Sequence, residues 1–280
     1  MNTWLRIKTY TICGLIILAA IAAILVVFQP SLIYFPRTYQ KDVEQESIEL
    51  FNLKRIEVTT SQGIQTAYLQ GDLNQPYRMW IVCGGNGSVA LDWCQWISSH
   101  GPKDVAWLVI DYPGYGASQG KPSPKTIRES IQLLVPQAAK TVKWRDRSDY
   151  ARLRFIGHSL GGAACLTAAS DFGIRKGILI APFTSTMDMS EQMLGVPLDW
   201  LVWHRFDNRA RIKELSAEKQ GQILIFHGKD DNIIPVEMSR TLARDGYPIT
   251  KLWEIEHASH NDILELNAQM IAAAVKHLSY

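Results

Sequence analysis

The chain has 280 residues, 47% apolar and 20% charged, which suits a globular protein of one or two domains. A net charge of +2, with basic residues scattered along the chain, excludes the clustered basic surface of a nucleic-acid binder. Four cysteines without paired close spacing argue against a zinc site or a disulfide framework, and Cys83 with Cys94 is the one pair an oxidising compartment would join.

From Tyr10 to Phe28 the sequence YTICGLIILAAIAAILVVF carries no charge. Nineteen residues at helical rise cover roughly 28 Å, close to the hydrocarbon thickness of a bilayer. The run is long for the apolar part of a signal peptide, no A-x-A site follows it, and it lacks the polar face of a core helix. It reads as an uncleaved anchor. Arg6 and Lys8 before it favour an inside N-terminus and hence an extracytoplasmic domain; Arg37 and Lys41 after it oppose that orientation.

Strand and helix patterns then alternate. RIEVTT (55–60) and IQTAYLQG (64–71) flank a Ser-Gln-Gly turn and predict a hairpin. RMWIVCGG (78–85) is a short apolar strand, 89–101 is a helix stopped by Gly101, and VAWLVIDYPG (105–114) is again a strand. Residues 123–142 predict a helix with a Ser123 cap and Pro124 at its first position, kinked or divided at Pro136. ARLRFIGHS ends in a strand, LGGAACLTAAS is a helix of small residues, and 176–183 and 221–228 are buried strands. A last strand lies in 249–260, and 261–278 reads as one long amphipathic helix. Continuously apolar strands are buried on both faces, so the expected fold is α/β: a mostly parallel central sheet, helices on both faces and an antiparallel hairpin at its edge. Residues 184–219 break the rhythm and read as a short cap insertion. Its Trp200, Trp203 and Met193 suit an apolar acyl or aromatic group, or plain core packing.

Two segments match G-x-S-x-G: Gly116–Gly120 around Ser118, and Gly157–Gly161 around Ser159. In a nucleophile elbow the serine sits on a strained strand-to-helix turn, with small residues two positions either side so that strand and helix approach closely. Ser159 has that context: LRFIG runs straight into it and LGGAACLTAA starts a helix after it. Ser118 is preceded by Pro113 and Gly114 and followed by Pro122 and Pro124, which bar a helix from starting there. Ser159 is therefore the candidate nucleophile and Ser118 part of a glycine-rich loop bordering the pocket entrance.

A serine hydroxyl needs a positioned base, and in this architecture the acid and then the histidine follow the serine in the chain. HGKDDNIIP delivers Asp230 and Asp231 directly after a strand; Asp231, deeper in the turn, is preferred, with Asp188 as an outside candidate and Asp111 as a loop anchor. EHASHND offers His257 and His260, of which His260, at the loop-to-helix junction, is the candidate base. His257 and His260 also have H-x-x-H spacing, but no third metal ligand accompanies them. His158 reads as a positioning residue. The oxyanion needs two N–H donors, and Leu160 and Asn86 occupy the expected places after the nucleophile and in the CGGNGS loop.

The strand-GHSLGG-helix unit, HGKDDNIIP and ASHND resemble the α/β-hydrolase superfamily. LIYFPR, DYPGYGASQGKPS, APFTS and RFDN resemble, more narrowly, its membrane-anchored ABHD and Bem-type branch. The resemblance runs from about residue 30 to the C-terminus and implies the α/β-hydrolase fold, the triad Ser159, Asp231 and His260, and the oxyanion donors Asn86 and Leu160. One departure stands out: the branch usually has HGN in the oxyanion loop, and this chain has Gly84-Gly85-Asn86. The division that results is a tail 1–9, a transmembrane anchor 10–28, a linker 29–54 and an α/β-hydrolase domain 55–280 with the cap at 184–219. The expected activity is hydrolysis of small acyl esters, thioesters or lipidated substrates, with no cofactor and no metal. A serine peptidase or amidase on the same triad, or a non-catalytic membrane-tethered interaction module, are the competing readings.

Overall fold

A computed structural model describes residues 3–40, 42–195 and 199–280, so Lys41 lies outside the described residues, as does the side chain of Arg6. The N-terminal apolar run forms α1 (Thr3–Ile33), which extends beyond the 10–28 segment at both ends. Within Ile7–Ile33 an 18-residue window has a mean hydropathy of 3.0 and none of that window is buried, so the stretch has the length and composition of a membrane span or of a signal sequence. Among the described residues of 29–54, the chain forms α2 (Val43–Leu50) after α1, and Tyr34 and Leu53 are buried.

The sheet has eight strands, β1 (Lys54–Thr60), β2 (Gly63–Gly71), β3 (Met79–Cys83), β4 (Ala106–Ile110), β5 (Leu153–His158), β6 (Lys176–Ile180), β7 (Gln222–Gly228) and β8 (Thr250–Ile255). Their order is β1-β2-β4-β3-β5-β6-β7-β8. β2 runs antiparallel to β1 and β4, and every other pair is parallel. The helices are α3 (Ala90–His100), α4 (Pro124–Thr141), α5 (Leu160–Phe172), α6 (Thr186–Leu194), α7 (Asn208–Ser216), α8 (Val236–Asp245), α9 (Ile263–Leu266) and α10 (Ala268–Ser279). Residues alternate across the strands as a pleated sheet requires. On β3, Met79, Ile81 and Cys83 join the core layer of Ile131 and Leu134 from α4, while Trp80 and Val82 join that of Ile97 from α3 and Ile271 from α10. Each such fully buried aliphatic side chain stabilises the fold by about 1.5–3 kcal/mol.

Two expectations change. Pro136 does not divide α4, which is one helix capped by Ser123 Oγ accepting from Thr126 N–H at 3.1 Å. Burial of Leu134, Val135, Ala138 and Ala139 around the proline offsets the backbone bond it removes. Residues 261–278 form two helices rather than one, because Asn267 leaves the helical region at φ −116°, ψ 22° and its side-chain amide bonds the Ile263 carbonyl at 3.2 Å. All four cysteines are free: Cys83 points into one core layer and Cys94 into the other, so the sheet separates them.

Within 184–219, α7 packs Ile212 into the main core layer and α6 lays Met189 against it. Trp200, Trp203 and Met193 are exposed rather than packed as core.

Candidate active site

Parallel strands end on one edge of the sheet, and the loops leaving that edge collect the candidate residues. Ser159 lies between β5 and α5 at φ 54°, ψ −120°, a strained conformation for a non-glycine residue. Its N–H bonds the Ile180 carbonyl of β6 at 2.9 Å and its carbonyl accepts from Gly162 N–H at 2.9 Å. The motif glycines are needed because the helix starts against the sheet: a Cβ on Gly161 would lie 1.9 Å from the Cys83 carbonyl oxygen, and one on Gly157 would lie 2.3 Å from that of Gly161. Among the described residues no partner takes the Ser159 hydroxyl; a bond between a nucleophile and its base often tightens only with substrate present.

Asp231 sits in the turn after β7. Its Oδ1 accepts from Ile233 and Ile234 N–H at 2.9 and 2.8 Å, and its Oδ2 accepts from His260 Nδ1 at 2.7 Å. Burial alone would raise this carboxyl; the bonds from His227, His260 and the Ile234 amide overcome it and hold Asp231 well below the usual carboxylate range. With Nδ1–H committed to Asp231, the Nε2 of His260 is left as the basic nitrogen. Asp230 instead faces exposed His257 at 3.7 Å, so neither His257 nor Asp230 belongs to this pair.

His158, inside the elbow, donates from Nε2 to the His260 carbonyl at 3.0 Å, and the two rings lie 4.9 Å apart. Burial, and then the neighbouring His260, pulls its pKa down to about 4, so it stays neutral near pH 7. Gly85 lies against both His158 and Ser159: a Cβ there would be 3.2 Å from His158 Nδ1 and 3.6 Å from Ser159 Cβ. The CGGNGS loop therefore borders the elbow. The carbonyl of Asn86 accepts from Phe35 N–H at 3.0 Å and from the Tyr115 hydroxyl at 2.7 Å, while its side-chain amide donates to the Ile33 carbonyl at 3.1 Å. These bonds hold the residue and leave its own N–H without an acceptor among the described residues. Leu160 N–H, in the first turn of α5, has no intrahelical partner. Among the described residues no cluster of three or more His, Cys, Asp or Glu side chains is placed to hold a metal.

His227 was not legible as a site residue. It is fully buried, its Nδ1 pairs with Ser239 Oγ at 2.6 Å, and its Nε2 reaches the Ile234 carbonyl at 2.8 Å and Asp231 Oδ2 at 3.2 Å, bracing the Asp231 turn. Its position four residues before Asp231, at the end of a buried strand, is the only sequence signal for this.

The strand order, the elbow between β5 and α5 and the loop positions after β7 and β8 define an α/β-hydrolase fold. The model of the Alpha/beta hydrolase family matches residues 81–217, and the chain belongs to the α/β-hydrolase superfamily. Among its relatives, the uncharacterized protein Rv2307c of Mycobacterium tuberculosis is 25% identical over 281 residues, covering 97% of this chain and 95% of that one. Alpha/beta hydrolase domain-containing protein 17B of Xenopus laevis is 31% identical over 164 residues, covering 58% of this chain and 52% of its own. The structure of the Pyrococcus furiosus esterase PF2001 superposes with a TM-score of 0.64 at 15% identity, over 89% of this chain and 98% of that one, a likeness of fold.

Proposed function

We propose that the chain is a membrane-anchored serine hydrolase that cleaves acyl esters or thioesters through Ser159, His260 and Asp231. The observation that carries this is the His260 Nδ1–Asp231 Oδ2 bond at 2.7 Å, together with a strained serine whose hydroxyl has no partner among the described residues. Ser159 Oγ attacks the acyl carbonyl carbon and His260 Nε2 takes its proton. Asp231 stabilises the imidazolium, and Leu160 and Asn86 N–H bind the oxyanion. The imidazolium then protonates the departing alcohol or thiol. Water, activated by the same histidine, releases the acid from Ser159. His158 positions His260 through its carbonyl and does not exchange protons. The likeness to an esterase fold and to an ABHD relative agrees with this reading.

In the proposed organisation α1 is a single-pass anchor, residues 55–280 are the hydrolase domain with its cap at 184–219, and the N-terminus is inside, so the domain is extracytoplasmic. A fluorophosphonate probe applied to the full chain in detergent is expected to label it, and Ser159→Ala and Asp231→Asn are expected to abolish or greatly slow labelling while Asp230→Asn leaves it unchanged. A folded wild-type chain that resists the probe would overturn the assignment.

A further inference from the structure

The end of α1 is built into the cap. Gln29 is the first polar side chain after the apolar run, and it is buried. Its Oε1 accepts from the N–H groups of Trp203 and His204 at 2.7 and 2.8 Å, and its Nε2 donates to the Leu201 carbonyl at 3.0 Å. One turn on, the Tyr34 hydroxyl pairs with His204 Nδ1 at 3.1 Å and the two rings meet edge to face at 5.4 Å. Three bonds to one amide and a packed aromatic pair fix the backbone of 201–204 against the helix.

This attachment sets a depth. The uncharged residues 10–28 cover about the thickness of the bilayer hydrocarbon, so Gln29 falls at its boundary. The cap backbone bonded to Gln29 is held at the same level. Two tryptophans belong to or adjoin that backbone, Trp203 at 73% and Trp200 at 65% exposure, and at the helix end Leu32 and Phe35 are also more than half exposed. Exposed tryptophan at the headgroup level is the side chain a bilayer interface favours, because its ring is apolar and its N–H polar. The same helix end holds Asn86 through Ile33 and Phe35.

We infer that the cap edge at Trp200 and Trp203 seats in the bilayer leaflet from which α1 emerges, and that the site takes acyl esters whose chains lie in that leaflet. This rests on the reading of α1 as an anchor and of the chain as a hydrolase, and it adds a second membrane contact and a source of substrate. The occupant is lipid rather than a second copy of the chain because the patch is continuous with the membrane helix and fixed at its boundary.

The test uses the full chain in phosphatidylcholine nanodiscs, with acyl chains brominated near the headgroup. Trp4, exposed at the far end of α1, is replaced by Phe so that it does not report. Ser159→Ala is included so that the readout is independent of turnover. Bromolipid is expected to quench tryptophan emission, and Trp200→Phe with Trp203→Phe is expected to reduce that quenching at least about fivefold. Quenching that is absent, or unchanged in the double variant, overturns the inference, as does burial of these rings by another protein copy. In the active chain, Trp200→Ser with Trp203→Ser is expected to slow hydrolysis of a long-chain ester in vesicles about tenfold, with turnover of soluble p-nitrophenyl acetate within about twofold. Equal effects on both substrates overturn the leaflet supply. Quenching without any turnover defeats the hydrolase reading alone, and turnover without quenching defeats this one alone.

Discussion

In residues 116–120, Ser118 Oγ accepts from Thr66 N–H of β2 at 2.8 Å and donates to the Asp111 carbonyl at 2.9 Å. In residues 157–161, Ser159 Oγ has neither kind of partner among the described residues and the strain falls on its own backbone. The glycines differ as well. Gly116 stands at φ +52° in a loop, where an added Cβ would lie 2.1 Å from Asp111 Oδ2; Gly161 lets a helix start against β3. The same five-letter pattern therefore marks a hydroxyl already used in folding and one without a partner among the described residues, the nucleophile of the proposed reaction. What separates them is whether the flanking elements consume the hydroxyl's hydrogen-bonding capacity.

The sharpest way to break this contrast is to remove each hydroxyl. Ser159→Ala is expected to lower ester turnover at least about 10³-fold, with the fold intact. Ser118→Ala is expected to keep turnover within about twofold but to cost about 1–3 kcal/mol of stability, because the buried Thr66 N–H loses its acceptor. Turnover with a soluble chromogenic ester and denaturant midpoints in detergent read the two effects. If Ser118→Ala abolishes turnover in a folded chain, the contrast fails.

Glycine replacement comes next. Gly161→Ala sets a Cβ against a backbone carbonyl that cannot move, and is expected to destabilise by more than about 4 kcal/mol. Gly116→Ala strains a turn and crowds a side-chain carboxylate, and is expected to cost less, on the order of 2–3 kcal/mol. Thermal unfolding of the two variants gives the ranking, and a reversed order would show that the elbow relaxes more readily than the loop.

The smallest effect is in pH dependence, where the two segments oppose one another. His158 titrates near 6.5 when unfolded and about 4 when folded, so the folded state binds fewer protons in that window and stability is lost as pH falls through it. Asp111 is the reverse. Burial raises it from 3.8 to about 7, the folded state binds more protons, and stability is lost as pH rises through that range. Between pH 7.5 and 5, His158→Gln is expected to forgo on the order of 1–2 kcal/mol of the acid loss that the parent chain shows. Asp111→Asn is expected to forgo part of the loss as pH rises over the same interval. Denaturant midpoints at the two pH values read both, and the same sign of change in both variants would refute the opposition.

Much of the fold was legible because its strands are unbroken apolar runs such as MWIVC and AWLVI, which only a sheet covered on both faces accommodates. The choice of Asp231 over Asp230 beside His260 was legible too, since only a residue deep in the turn can point back across the strand ends, and the 2.7 Å bond lies there. What escaped was decided by partners distant in sequence. Gln29 shows no sign that it will bind residues 201–204, and nothing around Pro136 reveals the packing that keeps α4 whole. Asn267 hid inside an amphipathic period that continues on either side of the break.

The Asp111 carboxylate has a consequence for the order in which the chain assembles. It gathers the Ala117 amide, the Ala90 amide and the Tyr39 hydroxyl, at sequence separations of 6, 21 and 72 residues. The contact between His158 and His260 spans 102. Loop-closure entropy makes the shorter closures the less costly, and their rewards arrive first. On that account the contacts around Ser118 close early and organise the edge of the sheet, and those around Ser159 are completed late, on a frame that already exists.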